Sequence, residues 1–238
     1  MIVIKGKNAL VTGSSRGVGQ QLAIGLAKLG CNVIVHGRTK ESCAQTLELL
    51  HKYNVSTNSL YGELSDESAV DNIIKQVVDL KIHVDILYNN AAIMPPNHED
   101  FWNHSWTDWT ETFKVNVMAL YNLCGAFIPG MIENGFGRVI NLTSRIKDNP
   151  EVAPYGASKW AVDKLTDDIA SKLEGTGVRI NMIDPGWLRT SMGGDNAEHP
   201  VEAVLPGGLA PALVEDDGAN GQFFSAIDHN LDINLLNQ

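Results

Sequence analysis

The stretch Val11-Thr12-Gly13-Ser14-Ser15-Arg16-Gly17-Val18-Gly19 passes within a few residues from an apolar run, through a glycine-rich turn, into helical periodicity. Upstream, Asn8-Ala9-Leu10-Val11 suits a short buried strand. Downstream, Leu22, Ile24, Leu26, Ala27 and Leu29 supply an apolar helical face that ends at Gly30. The stretch therefore reads as a strand, a phosphate-cradling loop and a helix start. Gly13, Gly17 and Gly19 let the backbone turn sharply and approach a ligand, and the helix N-terminus offers unpaired N–H groups and partial positive charge to a pyrophosphate. A glycine triplet alone fits an ordinary tight turn equally well, so the rest of the chain decides.

The 238 residues, 44% hydrophobic and 19% charged, suffice for one well-buried domain spanning 1–238, and no Pro/Gly/Ser-rich linker divides them. A formal charge of −10 argues against sequence-independent nucleic-acid binding, which needs a basic surface. Cys31, Cys43 and Cys124 have no metal-ligand spacing and read as reduced thiols; the expectation is a cytoplasmic protein without a metal. The first ten residues carry two lysines and too short an apolar run for a signal peptide. No apolar run reaches membrane-spanning length, so no membrane partner is expected.

A second apolar run, Cys31-Asn32-Val33-Ile34-Val35-His36, ends at Gly37-Arg38 and precedes a helical stretch with Leu47, Leu49 and Leu50 on its apolar side. In dinucleotide-binding folds the tip of this second strand meets the adenosine ribose, where a carboxylate would accept bonds from both hydroxyls. The tip here has no carboxylate. Arg38, together with Arg16 in the glycine loop, is placed to pair with a 2′-phosphate. Each alone reads as a solvated surface arginine. Both at the two expected positions favour NADP(H) over NAD(H).

Residues 56–61 are strand-like and lead into Gly62-Glu63-Leu64-Ser65-Asp66, where Ser65 or Asp66 can cap a helix running to about Leu80. Val70, Ile73, Ile74, Val77 and Val78 give that helix a core face. Val84-Asp85-Ile86-Leu87-Tyr88 is a fourth strand, ending in Asn89-Asn90-Ala91-Ala92. With the Thr12-Gly13 loop before it, this segment resembles the short-chain dehydrogenase/reductase family, and within it the 3-oxoacyl-carrier-protein and general carbonyl reductases. Ala92 stands where that family usually has Gly, a departure that matters if the backbone there needs φ > 0.

Pro95 and Pro96 make a loop of the next segment, which then holds Phe101, Trp102, Trp106 and Trp109 interleaved with His98 and His104. These aromatic residues suit a wall over a substrate, a hydrophobic staple for the next helix, or a subunit contact. The expected helix runs from Trp109 to about Pro129, apolar around much of its circumference, with Asn116 in its middle either capping a local kink or held for a purpose. Gly137 to Ser144 is a fifth strand with hydroxyls at its carboxyl end, where open parallel sheets bind ligands. In the following helix Tyr155 and Lys159 are i and i+4 and share one face. A free phenol, with a pKa of about 10, is a poor acid or base at neutral pH, and a neighbouring ammonium lowers that value. Amphipathic packing is the plainer account of the pair taken alone.

A sixth strand, Val178 to Ile183, ends in Asp184-Pro185-Gly186-Trp187-Leu188-Arg189-Thr190. Residues 191–200 suit a mobile lid or a plain surface loop, 201–214 are broken by Pro206 and Pro211, and 221–227 fit a seventh strand. The tail 231–238 carries no motif.

The resemblance implies a doubly wound α/β (Rossmann) sheet of about seven mostly parallel strands, with helices on both faces and substrate loops at about 93–109 and 187–212. It implies that Tyr155 is the general acid/base, that Lys159 lowers its pKa and holds the nicotinamide ribose, that Ser144 bonds the substrate carbonyl, and that Asn116 holds a water linking Lys159 to solvent. The cofactor would rest on Gly13, Ser15, Arg16, Gly17, Val18 and Gly19, then Arg38, Glu63, Leu64, Asn90 and Ala91, with Tyr155, Lys159, Pro185, Gly186, Leu188 and Thr190 at the nicotinamide end. The expected activity is NADP(H)-dependent reduction of a small ketone or aldehyde to an alcohol. Two alternatives stay open: the same chemistry on a sugar or hydroxysteroid alcohol, and a non-catalytic dinucleotide-binding regulator. Family members assemble as homotetramers or homodimers through helices corresponding here to 109–129 and 155–173. The stretch from Ser144 to Tyr155 is shorter than in many of them.

Overall fold

Along β1 (Asn8–Val11), Ala9 and Val11 join one buried cluster while Leu10 joins another, and the same alternation recurs on the strands beside it. Side chains of a strand point to opposite faces in turn, so a sheet apolar at every position needs helices on both sides. β2 (Asn32–Gly37), β3 (Thr57–Tyr61), β4 (Ile86–Asn89), β5 (Gly137–Leu142), β6 (Val178–Asp184) and β7 (Phe223–Ser225) complete it. The order is β3-β2-β1-β4-β5-β6-β7 and every pairing is parallel. This is a computed structural model of the chain, and it describes residues 1–97, 100–146 and 149–229; His98 and the tail 231–238 lie outside them.

One face is covered by α1 (Gly17–Lys28), α2 (Ala44–Leu50) and the 201–213 segment, through Leu22, Leu26, Leu50, Leu209 and Leu213. The other is covered by α3 (Glu67–Asp79), α4 (Trp106–Phe113), α5 (Leu120–Glu133) and α6 (Ala153–Lys172), with Ile73, Val77, Leu123, Phe127 and Val162 in its core. From β1 the chain winds outward through β2 and β3, then returns past β1 to β4 and winds the other way. That reversal opens a crevice above the carboxyl ends of β1 and β4.

Helix starts follow their caps. Asp66 accepts from Ser68 N at 2.9 Å, as expected for α3. α4 begins at Trp106 rather than Trp109, because Ser105 and Asp108 form a reciprocal capping box that the apolar periodicity did not reveal. A π-helical turn, Lys114–Ala119, joins α4 to α5, and α5 runs past Pro129 to Glu133 before Gly135 turns at φ 67°. Burying Leu123, Phe127, Ile128 and Met131 outweighs the roughly 3 kcal/mol that an interior proline costs. Counted through the π turn, 106–133 is a 28-residue helix long and apolar enough to cross a membrane by length and composition, which corrects the expectation of no such segment. A search for an uninterrupted apolar run overlooks it because Asn116, Asn122 and Pro129 interrupt the run. In this fold its apolar side lies on the sheet.

Phe101 (43% exposed), Trp102 (85%), Trp106 (83%) and Trp109 (36%) face outward, so they do not staple α4. Cys31, Cys43 and Cys124 are buried and free, and burial raises all three thiols. Residues 187–199 fold back on themselves: Arg189 N donates to His199 O at 2.8 Å, and Trp187 Nε1 to Gly193 O at 2.9 Å. The proline-broken stretch forms two 3-10 turns, Val201–Val204 and Gly207–Ala212, as its prolines predict.

Candidate active site

The glycine loop is held from behind. Thr12 Oγ1 accepts from both Asn90 N and Ala91 N at 3.0 Å, and Asn90 Nδ2 donates to Thr12 O at 2.7 Å and Gly13 O at 3.2 Å. Asn90 thus joins the ends of β1 and β4 through Thr12, a residue that the loop motif included without assigning it a role. A Cβ at Gly19 would lie 2.5 Å from Asn90 Nδ2 and 2.6 Å from Gly13 O, so glycine there is a requirement of close packing. Arg16 takes the N-cap position in extended backbone with no side-chain cap, which leaves the first N–H groups of α1, at Gly17, Val18 and Gly19, for a ligand. Among the described residues the one non-glycine at positive φ is Lys81; Ala92 is unstrained in place of the family's glycine.

Arg16 and Arg38 are both exposed at the mouth of this crevice and enter no salt bridge among the described residues. Gly37, between His36 and Arg38, is crowded: a Cβ would meet Ser42 Oγ, which would have to turn away, and stand 3.0 Å from Cys43 Sγ. Leu64 is buried at the start of α3 and Glu63 beside it is exposed. Across the crevice, Thr190 brings its Cγ2 within 3.7 Å of where a Gly17 Cβ would be, so the segment that carries Pro185, Gly186 and Leu188 from the end of β6 meets the glycine loop at Thr190. Asp184 shapes that turn, accepting from Gly186 N at 2.8 Å and Arg145 N at 2.9 Å. No spacing argument pointed to Asp184. These donors, glycines and arginines fit a phosphorylated dinucleotide.

Tyr155 lies on the first turns of α6, with Lys159 one turn on and Ser144 just beyond β5. Burial and the Asp184 carboxylate push the Tyr155 phenol up to about 12, against a smaller downward pull from the hydrogen bond with Ser144. The expectation that Lys159 lowers it is not met. Lys159 Nζ donates to Leu142 O at 2.7 Å, at the carboxyl end of β5, and stands 5.6 Å from the Tyr155 ring centroid. Burial brings the ammonium itself down to about 8, opposed by Asp163 and Asp184.

Asn116 occupies the π turn, a conformation that locally unwinds the helix and turns this side chain inward. Its Oδ1 accepts from Ile93 N at 2.8 Å, and its Nδ2 donates to Ile93 O and Ser158 Oγ, both at 2.9 Å. Ser158 Oγ in turn donates to Tyr155 O at 2.7 Å. Both amide hydrogens are committed, so the side chain acts as a brace between the 93-onward loop and α6. Below it, Asn89 Nδ2 donates to Asn141 Oδ1, and Asn141 Nδ2 to Thr166 Oγ1, both at 2.9 Å, a buried ladder beneath the site.

The short chain dehydrogenase family model matches residues 7–200. A gluconate 5-dehydrogenase of Gluconobacter oxydans is 32% identical over 191 residues, 79% of this chain and 74% of that one. A 3-oxoacyl-[acyl-carrier-protein] reductase of Aquifex aeolicus is 31% identical over 194 residues, covering 80% and 77%. The solved structure of a 3-oxoacyl (acyl-carrier-protein) reductase from Agrobacterium tumefaciens C58 with NADP bound superposes with a TM-score of 0.84 at 26% identity, over 93% of each chain.

Proposed function

The chain belongs to the short-chain dehydrogenase family of oxidoreductases acting on CH–OH groups, and from that premise we propose that it reduces a small ketone or aldehyde to an alcohol with NADP(H). The observation that carries this reading is the convergence of Ser144, Tyr155 and Lys159, from β5 and α6, beside a glycine loop with an uncapped helix N-terminus. When bound, the nicotinamide supplies a hydride to the carbonyl carbon. Ser144 donates a hydrogen bond to the carbonyl oxygen and holds it where negative charge develops. The Tyr155 phenol, kept protonated by burial, gives its proton to that oxygen. Lys159 presents a buried ammonium to the ribose and to the phenolate left behind. Asn116, through Ser158, keeps the Tyr155 backbone in place.

Preference for NADP(H) rests on Arg16 and Arg38, and on a strand tip, crowded at Gly37, that carries no ribose-binding carboxylate. Met118 (58% exposed), Tyr121 (56%) and Trp160 (54%) leave apolar surface on α6 and the helix before it, which supports assembly as a homotetramer or homodimer. Three buried, unpaired thiols suit the cytoplasm. Likeness to a gluconate dehydrogenase favours a polyhydroxylated substrate as a second reading of the same site.

The test is NADPH oxidation by the purified chain across 3-oxoacyl thioesters, keto sugar acids, diketones and ketosteroids. Turnover on one class is expected. Tyr155→Phe should lower it by about 10²-fold or more while NADPH binding persists; tight binding without turnover on any class would overturn the reductase reading in favour of a dinucleotide-binding regulator.

A further inference from the structure

His36 is the last residue but one of β2, with 2% of its surface exposed, behind the glycine loop rather than in front of it. Gly13 N lies 3.1 Å from its Nδ1, and Gly62 O lies 3.3 Å from its Nε2. A backbone N–H can only donate and a carbonyl oxygen can only accept. The two contacts together therefore fix the tautomer, with Nδ1 bare and Nε2 protonated. The main chain of the same residue is clamped as well: His36 N donates to Ser14 Oγ at 3.0 Å, and Ser14 N donates to His36 O at 2.9 Å. One residue thus holds Gly13 and Ser14 on one loop and Gly62 on another.

Those two loops face each other across the adenosine end of the crevice. Gly13, at φ 62°, is the turn from which the N–H groups of the phosphate loop are aimed. Gly62 leads directly into Glu63 and Leu64. Because the Gly13 N–H is spent on His36, the donors left for phosphate come from the far half of the loop, and their direction depends on how Gly13 is held. Resting on the NADP(H) reading, we propose that His36 is a positioning residue for the dinucleotide. Its neutral imidazole sets the separation of the phosphate loop and the Glu63–Leu64 segment before cofactor arrives, so that binding does not have to order them. Burial keeps the ring neutral by bringing its pKa down to about 4, and an imidazolium would turn an N–H against the Gly13 N–H.

The experiment measures NADPH affinity by fluorescence titration, with steady-state KM and kcat alongside, for the full-length chain and for His36→Leu, His36→Asn and His36→Gln. Thermal melts check that each variant folds. Asparagine can return an acceptor to the Gly13 N–H, and glutamine a donor toward Gly62 O. Expected are NADPH binding about tenfold weaker or more for His36→Leu, a matching rise in KM, a much smaller change in kcat, and partial recovery in the Asn or Gln variant. Should His36→Leu fail to fold, the Asn and Gln variants still decide, since each removes one of the two contacts and should weaken binding. Unchanged affinity in folded variants, or a loss confined to kcat, would overturn the role of His36 alone. Failure of the unmodified chain to bind any nicotinamide dinucleotide would overturn the cofactor reading, and this proposal with it.

Discussion

The Lys159 ammonium stands 5.6 Å from the centre of the Tyr155 ring while its hydrogen bond goes to the carbonyl of Leu142, 2.7 Å away. The lysine is therefore anchored to the end of β5, in a pocket that disfavours its charge. Its pKa falls to about 8 as a result. The proposed reaction places the ammonium beside the phenolate left behind, and the phenol stays protonated well beyond that pH. The expected pH profile of kcat/KM for carbonyl reduction is a plateau below about 8 and a fall above it. A profile flat to pH 10 would show that the ammonium is dispensable.

Arg38 is exposed and salt-bridged to nothing among the described residues, so its removal should leave the fold intact. Arg38→Ala is expected to raise the KM for NADPH by about tenfold or more and the KM for NADH little, since a charge-assisted bond to phosphate contributes about 1.5–3 kcal/mol. Equal losses for the two cofactors would mean that Arg38 does not meet the 2′-phosphate.

Among the described residues Arg138 is the largest fully buried side chain, and its guanidinium donates to Gly137 O, Gly177 O, Val214 O and Asp216 Oδ1. It fastens the start of β5 to the turn before β6 and to the segment before β7. Arg138→Met fills the volume but leaves several buried carbonyls unpaired. A loss of about 3–5 kcal/mol in urea unfolding is expected. A loss under about 1 kcal/mol would mean that water replaces the guanidinium freely.

His36 has its pKa lowered from 6.5 to about 4, so the unfolded chain binds a proton that the folded chain refuses between those values. Its contribution to stability is complete above about pH 6.5 and is lost as pH falls toward 4, amounting to about 3 kcal/mol. Urea midpoints measured from pH 7 to 4 should fall, and His36→Asn should flatten that part of the curve. An unchanged slope in the variant would assign the acid lability to other groups.

Much of this was legible from local patterns. The apolar run into Gly13, Gly17 and Gly19 announced β1 and α1, because strand and helix periodicities and a glycine turn are properties of neighbouring residues. Ser65-Asp66 announced α3 for the same reason, and the structure gives the cap to Asp66. Trp106 as the start of α4 was missed because a reciprocal Ser105–Asp108 cap looks like any polar pair until its geometry is known. The long reach of 106–133 was missed because Pro129, a breaker by rule, is overruled by the burial of its neighbours.

Local spacing settled that a glycine-rich turn follows the first strand, that Tyr155 and Lys159 share a helix face, and that the second strand ends without a carboxylate. Each depends on spacing along a few residues. Only the tertiary structure decided what those groups do with their bonds. Lys159 turned to Leu142, Asn116 spent its amide on Ile93 and Ser158, and His36 took a single tautomer between Gly13 and Gly62. Those partners come from distant parts of the chain, and the burial that shifts Tyr155, Lys159 and His36 belongs to the packed fold, so neither is written in any local stretch.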